Sequence, residues 1–299
     1  MKKLLVCLLA LLLAFTATVN AQMERPSIDS ETGIIDVSGV SSIQNGNVSV
    51  IITKPGVLIN NITLGGIKDQ TAAVYSLPTA ADGGFDGQFK LPARLATTYG
   101  FYTVYVTGET EQTFYYADPA EITAAISAVD GATADTLPAI LTEYTVTKEI
   151  LGIDLSGDYV TYTNTPEKST FFHSAMVAHV ATYGTLTLAN ITEAFEKALE
   201  TARYAYGDEA AVKKAMTENK LGIAVDSSLA EANAAIYVQS RTITIDSAVI
   251  ATNVRVAEAL VKINAATKGE MVGIISTYND VLLLPLTGDY TRVDPVEVK

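Results

Sequence analysis

Two patterns of apolar spacing divide the chain. From Ile34 to about Asp118, apolar and polar residues alternate in short runs separated by turn-forming residues. This predicts strands at Ile34–Val40, Asn47–Thr53, Thr71–Leu77, Gly87–Leu91, Gly100–Thr107 and Glu111–Tyr116. Asn45-Gly46, Lys54-Pro55-Gly56 and Asp82-Gly83-Gly84 supply the breaks, and Thr107-Gly108-Glu109-Thr110 fits a tight hairpin. In Gly100–Val106, Tyr102, Val104 and Val106 share one face, which is expected to point inward. Tyr102 is then placed to hydrogen-bond back across a sandwich corner.

After Asp118-Pro119 the apolar spacing becomes helical, with Asp118 as the expected cap and Pro119 in the first turn. The stretch Ile122–Tyr144 returns ungapped as Val256–Tyr278, 134 positions later. Ala125, Ala132, Thr133, Ile140 and Tyr144 meet identical residues at Ala259, Ala266, Thr267, Ile274 and Tyr278. An internal repeat of this kind predicts units that bury their apolar faces on one another. Each unit reads as a helical hairpin. A middle copy has helices at Phe195–Tyr206 and Glu209–Asn219, with return helices expected at His173–Ala181 and Leu229–Ser240. Gly184–Leu188 and Arg241–Ile245 alternate like strands. Their place in the repeat favours extended turns whose threonines cap the next helix.

The expected organisation is therefore multidomain, all-β plus all-α. A leader covers 1–21, a polar linker 22–33, an Ig-like β-sandwich 34–118 and a helical-repeat domain 119–299. The repeat copies lie near 119–188, 189–252 and 253–293. The β part resembles bacterial Ig-like domains through Asp86-Gly87-Gln88-Phe89 and Gly100–Val106. The whole arrangement resembles surface-layer-associated secreted proteins of Firmicutes, in which similar tandem units space binding or wall-anchoring modules. That resemblance implies no catalytic residue.

Composition narrows the setting. Met1-Lys2-Lys3, the apolar run Leu4–Phe15 and Val19-Asn20-Ala21 read as a cleaved signal peptide, too short for a lasting membrane anchor. Cleavage would remove Cys7, the only cysteine, and with it disulfides, thiolate metal sites and a cysteine nucleophile. It would leave 18 basic against 33 acidic residues, which disfavours nucleic acid and anionic membranes as partners.

Candidate chemistry is sparse. Leu284-Pro285-Leu286-Thr287-Gly288 spells a sortase signal, but a polar tail follows it instead of an apolar stretch and basic end. Asp154, Ser156 and Asp158 put oxygens at alternate positions, as a calcium loop begins. Tyr159 and Thr165 stand where that loop needs glycine and glutamate, so a capped turn is expected. His173 and His179 are six apart, which is not a zinc-chelating spacing. Paired carboxylates for glycan hydrolysis are available, but there is no Trp to form a sugar platform. Phe101, Tyr105, Tyr115 and Tyr116 form the candidate ligand patch, either solvated or covered by the helical domain. The sequence thus points to a secreted, non-enzymatic scaffold or adhesion protein with an extracellular protein or cell-wall partner. The alternative is a glycan-binding accessory module. No cofactor is expected; calcium at Asp154, Ser156 and Asp158 is the one alternative.

Overall fold

A computed structural model describes residues 22–29, 32–63 and 66–284. The leader and most of the Leu284–Gly288 motif lie outside them. The chain divides into two compact units. One runs to Thr123 and takes in Lys148–Ile150; the other holds Ala124–Thr147 and everything from Leu151.

Among the described residues the first unit carries eight strands: β1 (Gln22–Met23), β2 (Ser27–Asp29), β3 (Ile34–Val40), β4 (Asn47–Thr53), β5 (Thr71–Pro78), β6 (Gly84–Lys90), β7 (Gly100–Val106) and β8 (Gln112–Tyr116). They form two antiparallel four-stranded sheets. In one, β6 pairs along all of β3, so β1 and β2 take opposite ends of the other edge of β3. In the other the order is β5-β4-β7-β8. The polar stretch 22–33 is thus not simply a linker, because its short β1 and β2 satisfy an edge of β3. Two and three residues are too few to show an alternating pattern.

Alternation decides the core. Ile35 and Val37 from β3, Val48, Val50 and Ile52 from β4, and Tyr102, Val104 and Val106 from β7 are all buried in one cluster shared by both sheets. Tyr102 stacks on Phe114 and donates its hydroxyl to the Thr98 carbonyl at 2.7 Å, so its buried oxygen is satisfied. Burial pushes its pKa up to about 12. The final hairpin closes through Glu109 N–H to the Val106 carbonyl at 2.9 Å, with Gly108 at φ +85°.

Beyond a single turn at Ile67–Gln70 in the first unit, the described α-helices are α1 (Pro119–Asp130), α2 (Leu137–Leu141), α3 (Asp158–Thr163), α4 (Pro166–Val180), α5 (Leu188–Tyr206), α6 (Glu209–Glu218), α7 (Ala230–Ser240), α8 (Ser247–Ala265) and α9 (Met271–Leu282). The Asp118 carboxylate accepts from Ala120 N–H, as a cap ahead of Pro119 should. The boundary between the units falls inside α1. A π-helical turn, Thr142–Thr147, continues α2.

The turn between the two helices recurs in its hydrogen bonds, although the second segment is π-helical over Thr142–Thr147 in the first copy and α-helical throughout in the last. The backbone hydrogen bonds Ala132→Val129, Thr136→Thr133, Leu137→Thr133 and Ile140→Thr136 recur 134 positions on. They reappear as Ala266→Ile263, Glu270→Thr267, Met271→Thr267 and Ile274→Glu270. Leu137 and Leu141 are buried, as are Met271 and Ile275. Each copy's second helical segment ends at a non-glycine residue in the left-handed region: Glu149 (φ 52°), Asn219 (φ 49°) and Leu283 (φ 50°). In the first two copies Leu151-Gly152-Ile153 and Leu221-Gly222-Ile223 follow, with both glycines also left-handed. Left-handed backbone costs an ordinary residue about 1 kcal/mol. Leu283 is 79% exposed and loses little contact on truncation. Leu283→Gly is therefore expected to raise stability by about 1 kcal/mol, read as a higher urea midpoint.

Helix ends differ from expectation where caps decide. Thr187 caps α5 by accepting from Asn190 N–H, so that helix begins at Leu188 and not near Phe195. Before α8 the cap is Asp246, not a threonine; the Thr244 hydroxyl instead accepts from Asp246 N–H. Neither Thr-rich segment is a strand. α4 starts at Pro166, capped by Thr165, ahead of the expected His173.

Candidate functional site

The sequence-predicted aromatic patch is divided by the pleat. On β7, Phe101, Thr103 and Tyr105 point away from the core, and register places Phe101 opposite Tyr115. Their rings lie 4.7 Å apart. Tyr116, adjacent to Tyr115, must face the other way. It is buried in the core, with its hydroxyl donating to the Ala96 carbonyl at 3.1 Å, and so leaves the patch. Two residues join it instead: Ile51 pairs with both Tyr105 and Val74, so Val74, Ile51 and Tyr105 form one row across β5, β4 and β7. Val74 is 58% and Phe101 38% exposed. The Tyr115 hydroxyl donates to Glu121 Oε2 at 2.7 Å, which fixes that ring. Burial first, and then Glu121, pushes the Tyr115 pKa up to about 12. The face offers apolar and ring contact area.

In the helical unit two cations, Arg203 and Lys262, sit where successive copies meet. Arg203, three residues before the end of α5, is buried and donates Nε to Asp158 Oδ2 at 3.0 Å and Nη1 to Glu218. Lys214 reaches the same Asp158 oxygen at 3.3 Å. Burial alone would raise the Asp158 pKa, but Arg203 and Lys214 more than offset that and hold it below the usual carboxylate range. Buried Glu200 accepts N–H from Lys220 and, at 3.1 Å, from Leu221, closing the end of α6.

Lys262 stands at the same place in α8, three residues before its end. It bonds Glu258 at 2.7 Å and the Tyr278 oxygen at 2.8 Å, with Asp226 of the preceding tail at 4.0 Å. Tyr278 in turn donates to Glu258 at 2.6 Å. The corresponding position in the first copy is Ala128, which has no earlier copy to hold. These clusters join helices; their ionised partners neutralise each other. A groove of about 460 Å³ beside Arg203 is lined by Glu196, Leu199, Glu218 and Lys220.

Asp158 is therefore engaged with cations, and Asp154 accepts from Ser156 N–H at 2.8 Å in its own turn. Among the described residues no group of three His, Cys, Asp or Glu side chains could hold a metal ion.

His173 is buried and His179 half-buried. His173 Nδ1 lies 2.6 Å from the Ser169 carbonyl and must carry the proton, leaving Nε2 to accept from the Tyr159 hydroxyl at 3.2 Å. His179 Nε2 meets the Thr201 hydroxyl at 3.2 Å. Burial lowers both pKa values, and Lys197 lowers that of His179 further. A histidine with a depressed folded pKa gives stability that is fully present above the unfolded value of about 6.5 and lost as pH falls through the folded value. The urea midpoint of the helical unit is therefore expected to fall between pH 7.5 and pH 5, with a weaker pH slope in His179→Gln.

Known families, curated proteins and solved structures offer no match to this chain.

Proposed function

We propose that the protein is an exported, non-catalytic extracellular scaffold: an Ig-like module joined to a helical-repeat spacer that holds a binding face outside the cell. The observation carrying this reading is the threefold helical hairpin, whose successive copies are tied by a cation at a fixed place. Repetition of that kind builds length and shape.

The Ig-like assignment rests on the β1/β2-β3-β6 and β5-β4-β7-β8 order and on the Tyr102 corner. It departs from the constant-domain order in that β5 pairs with β4. The secreted setting rests on residues 1–21, and the Firmicutes surface-layer resemblance on the module order.

The contact face in this reading is Val74, Ile51, Tyr105 and Phe101, for an extracellular protein or wall component. Glycan binding is the second reading, favoured by the paired Phe101 and Tyr115 rings. Fractionation of expressing cells should find the chain outside the membrane, beginning at Gln22. Retention in the cytoplasm would overturn export, and polysaccharide turnover lost on a carboxylate substitution would overturn the non-catalytic reading. In pull-downs from cell-wall material and on glycan arrays, Tyr105→Ala and Phe101→Ala should each reduce binding at least tenfold, equivalent to about 1.4 kcal/mol. Glycan-array signal lost in these variants selects the glycan reading.

A further inference from the structure

We propose that Asn45 is a site of spontaneous succinimide formation, held in check in the folded protein by Thr79. Asn45-Gly46 lies in the turn that leads from β3 into β4. Asn45 is exposed and left-handed at φ 50°, a conformation asparagine tolerates better than most residues. Gly46 is required by space, since a Cβ there would lie 2.8 Å from Ile43 Cγ2. The turn is therefore tied to an Asn-Gly pair, whose glycine leaves the following amide nitrogen unshielded by any side chain. That nitrogen is the nucleophile. It attacks Asn45 Cγ, the Cγ–Nδ2 bond breaks, and ammonia leaves with the proton from Gly46 N. Water then opens the ring to aspartate or isoaspartate.

In the fold, the Gly46 N–H is already donated to the Thr79 hydroxyl at 3.0 Å. Thr79 returns its own N–H to the Gly46 carbonyl at 3.0 Å, and Asn45 N–H is held by the Ala80 carbonyl at 3.1 Å. Thr79 is 7% exposed, so the hydroxyl that occupies the nucleophile is shielded from competing water. Isoaspartate would put one more methylene into the main chain between two anchored amides, immediately before β4. Conversion would then be one-way and would loosen the first unit.

The test is peptide mass mapping of the purified full chain held at mildly alkaline pH, with enzymatic methylation of isoaspartate as a second readout. Thr79→Val removes the acceptor and should speed conversion at Asn45 about tenfold, the factor for one hydrogen bond of about 1.4 kcal/mol. Thr79→Ser keeps the hydroxyl and should stay near wild type. Wild type in urea should convert faster than the folded chain. Equal rates in folded Thr79→Val and wild type would overturn the proposal. If Thr79→Val fails to fold, an Asn45 rate no faster in urea than in native wild type would overturn it instead.

Discussion

Arg203→Ala is expected to lower the stability of the helical unit by about 3 kcal/mol, at the low end for breaking a buried ion pair. The guanidinium is 8% exposed, while Asp158 and Glu218 are 37% and 36% exposed. Water can thus partly rehydrate the stranded carboxylates, which keeps the cost from reaching the upper end of that range. Lys262→Ala should cost less, about 1 kcal/mol, because Lys262 is itself 32% exposed and makes its closest bonds within its own copy. The difference also has a pH signature. The folded pKa of Asp158 is depressed, so its contribution is fully present above the unfolded value near 3.9 and lost as pH falls through the folded one. The gap between wild type and Arg203→Ala should therefore be full at pH 7 and shrink below about pH 3. Urea denaturation at the two pH values measures it. An unchanged midpoint at pH 7 would show that Arg203 joins nothing.

Gly83→Ala should destabilise the β unit by about 3 kcal/mol. Gly83 sits at φ +85°, and an added Cβ would overlap the carbonyl of fully buried Ser41. Ser41 N–H is donated to the Gly83 carbonyl at 2.9 Å, so the turn cannot move away without breaking that bond. The left-handed backbone accounts for about 1 kcal/mol and the overlap for the rest. Gly56→Ala separates the two effects. Its φ is +75°, yet nothing lies within 4 Å of the added carbon. A loss of about 1 kcal/mol is expected there. Equal losses at both positions would mean that the Ser41 contact contributes nothing.

The main strands were legible because their alternation is long enough to register. The boundaries of β3 and β4 match residue for residue, and Tyr102 took its expected place because its parity with Val104 and Val106 fixed its face. Parity also removes Tyr116 from the aromatic patch, since two neighbours on a strand cannot share a face. Ile51 and Val74 were out of reach, because register between β4 and β5 is set by the turn and by a bulge at Ile52/Thr53. The helical repeat was visible as paired identities. The cation clusters were not, because each joins residues far apart in sequence: Asp158 to Arg203, and Asp226 to Lys262. The start of α5 was misplaced because its apolar stripe begins after its cap. Thr187 and Asn190 carried that signal eight and five residues ahead of Phe195.

The fixed place of Arg203 and Lys262 bears on how such a chain can change length. Each cation sits in the later hairpin, pairs with a carboxylate of its own copy (Glu218 or Glu258), and also reaches one in the tail of the copy before (Asp158 or Asp226). Unequal recombination that adds or removes one full period therefore carries the charge and its seat together. An excision out of phase would strand an ion in a greasy seam, and selection would see it at once.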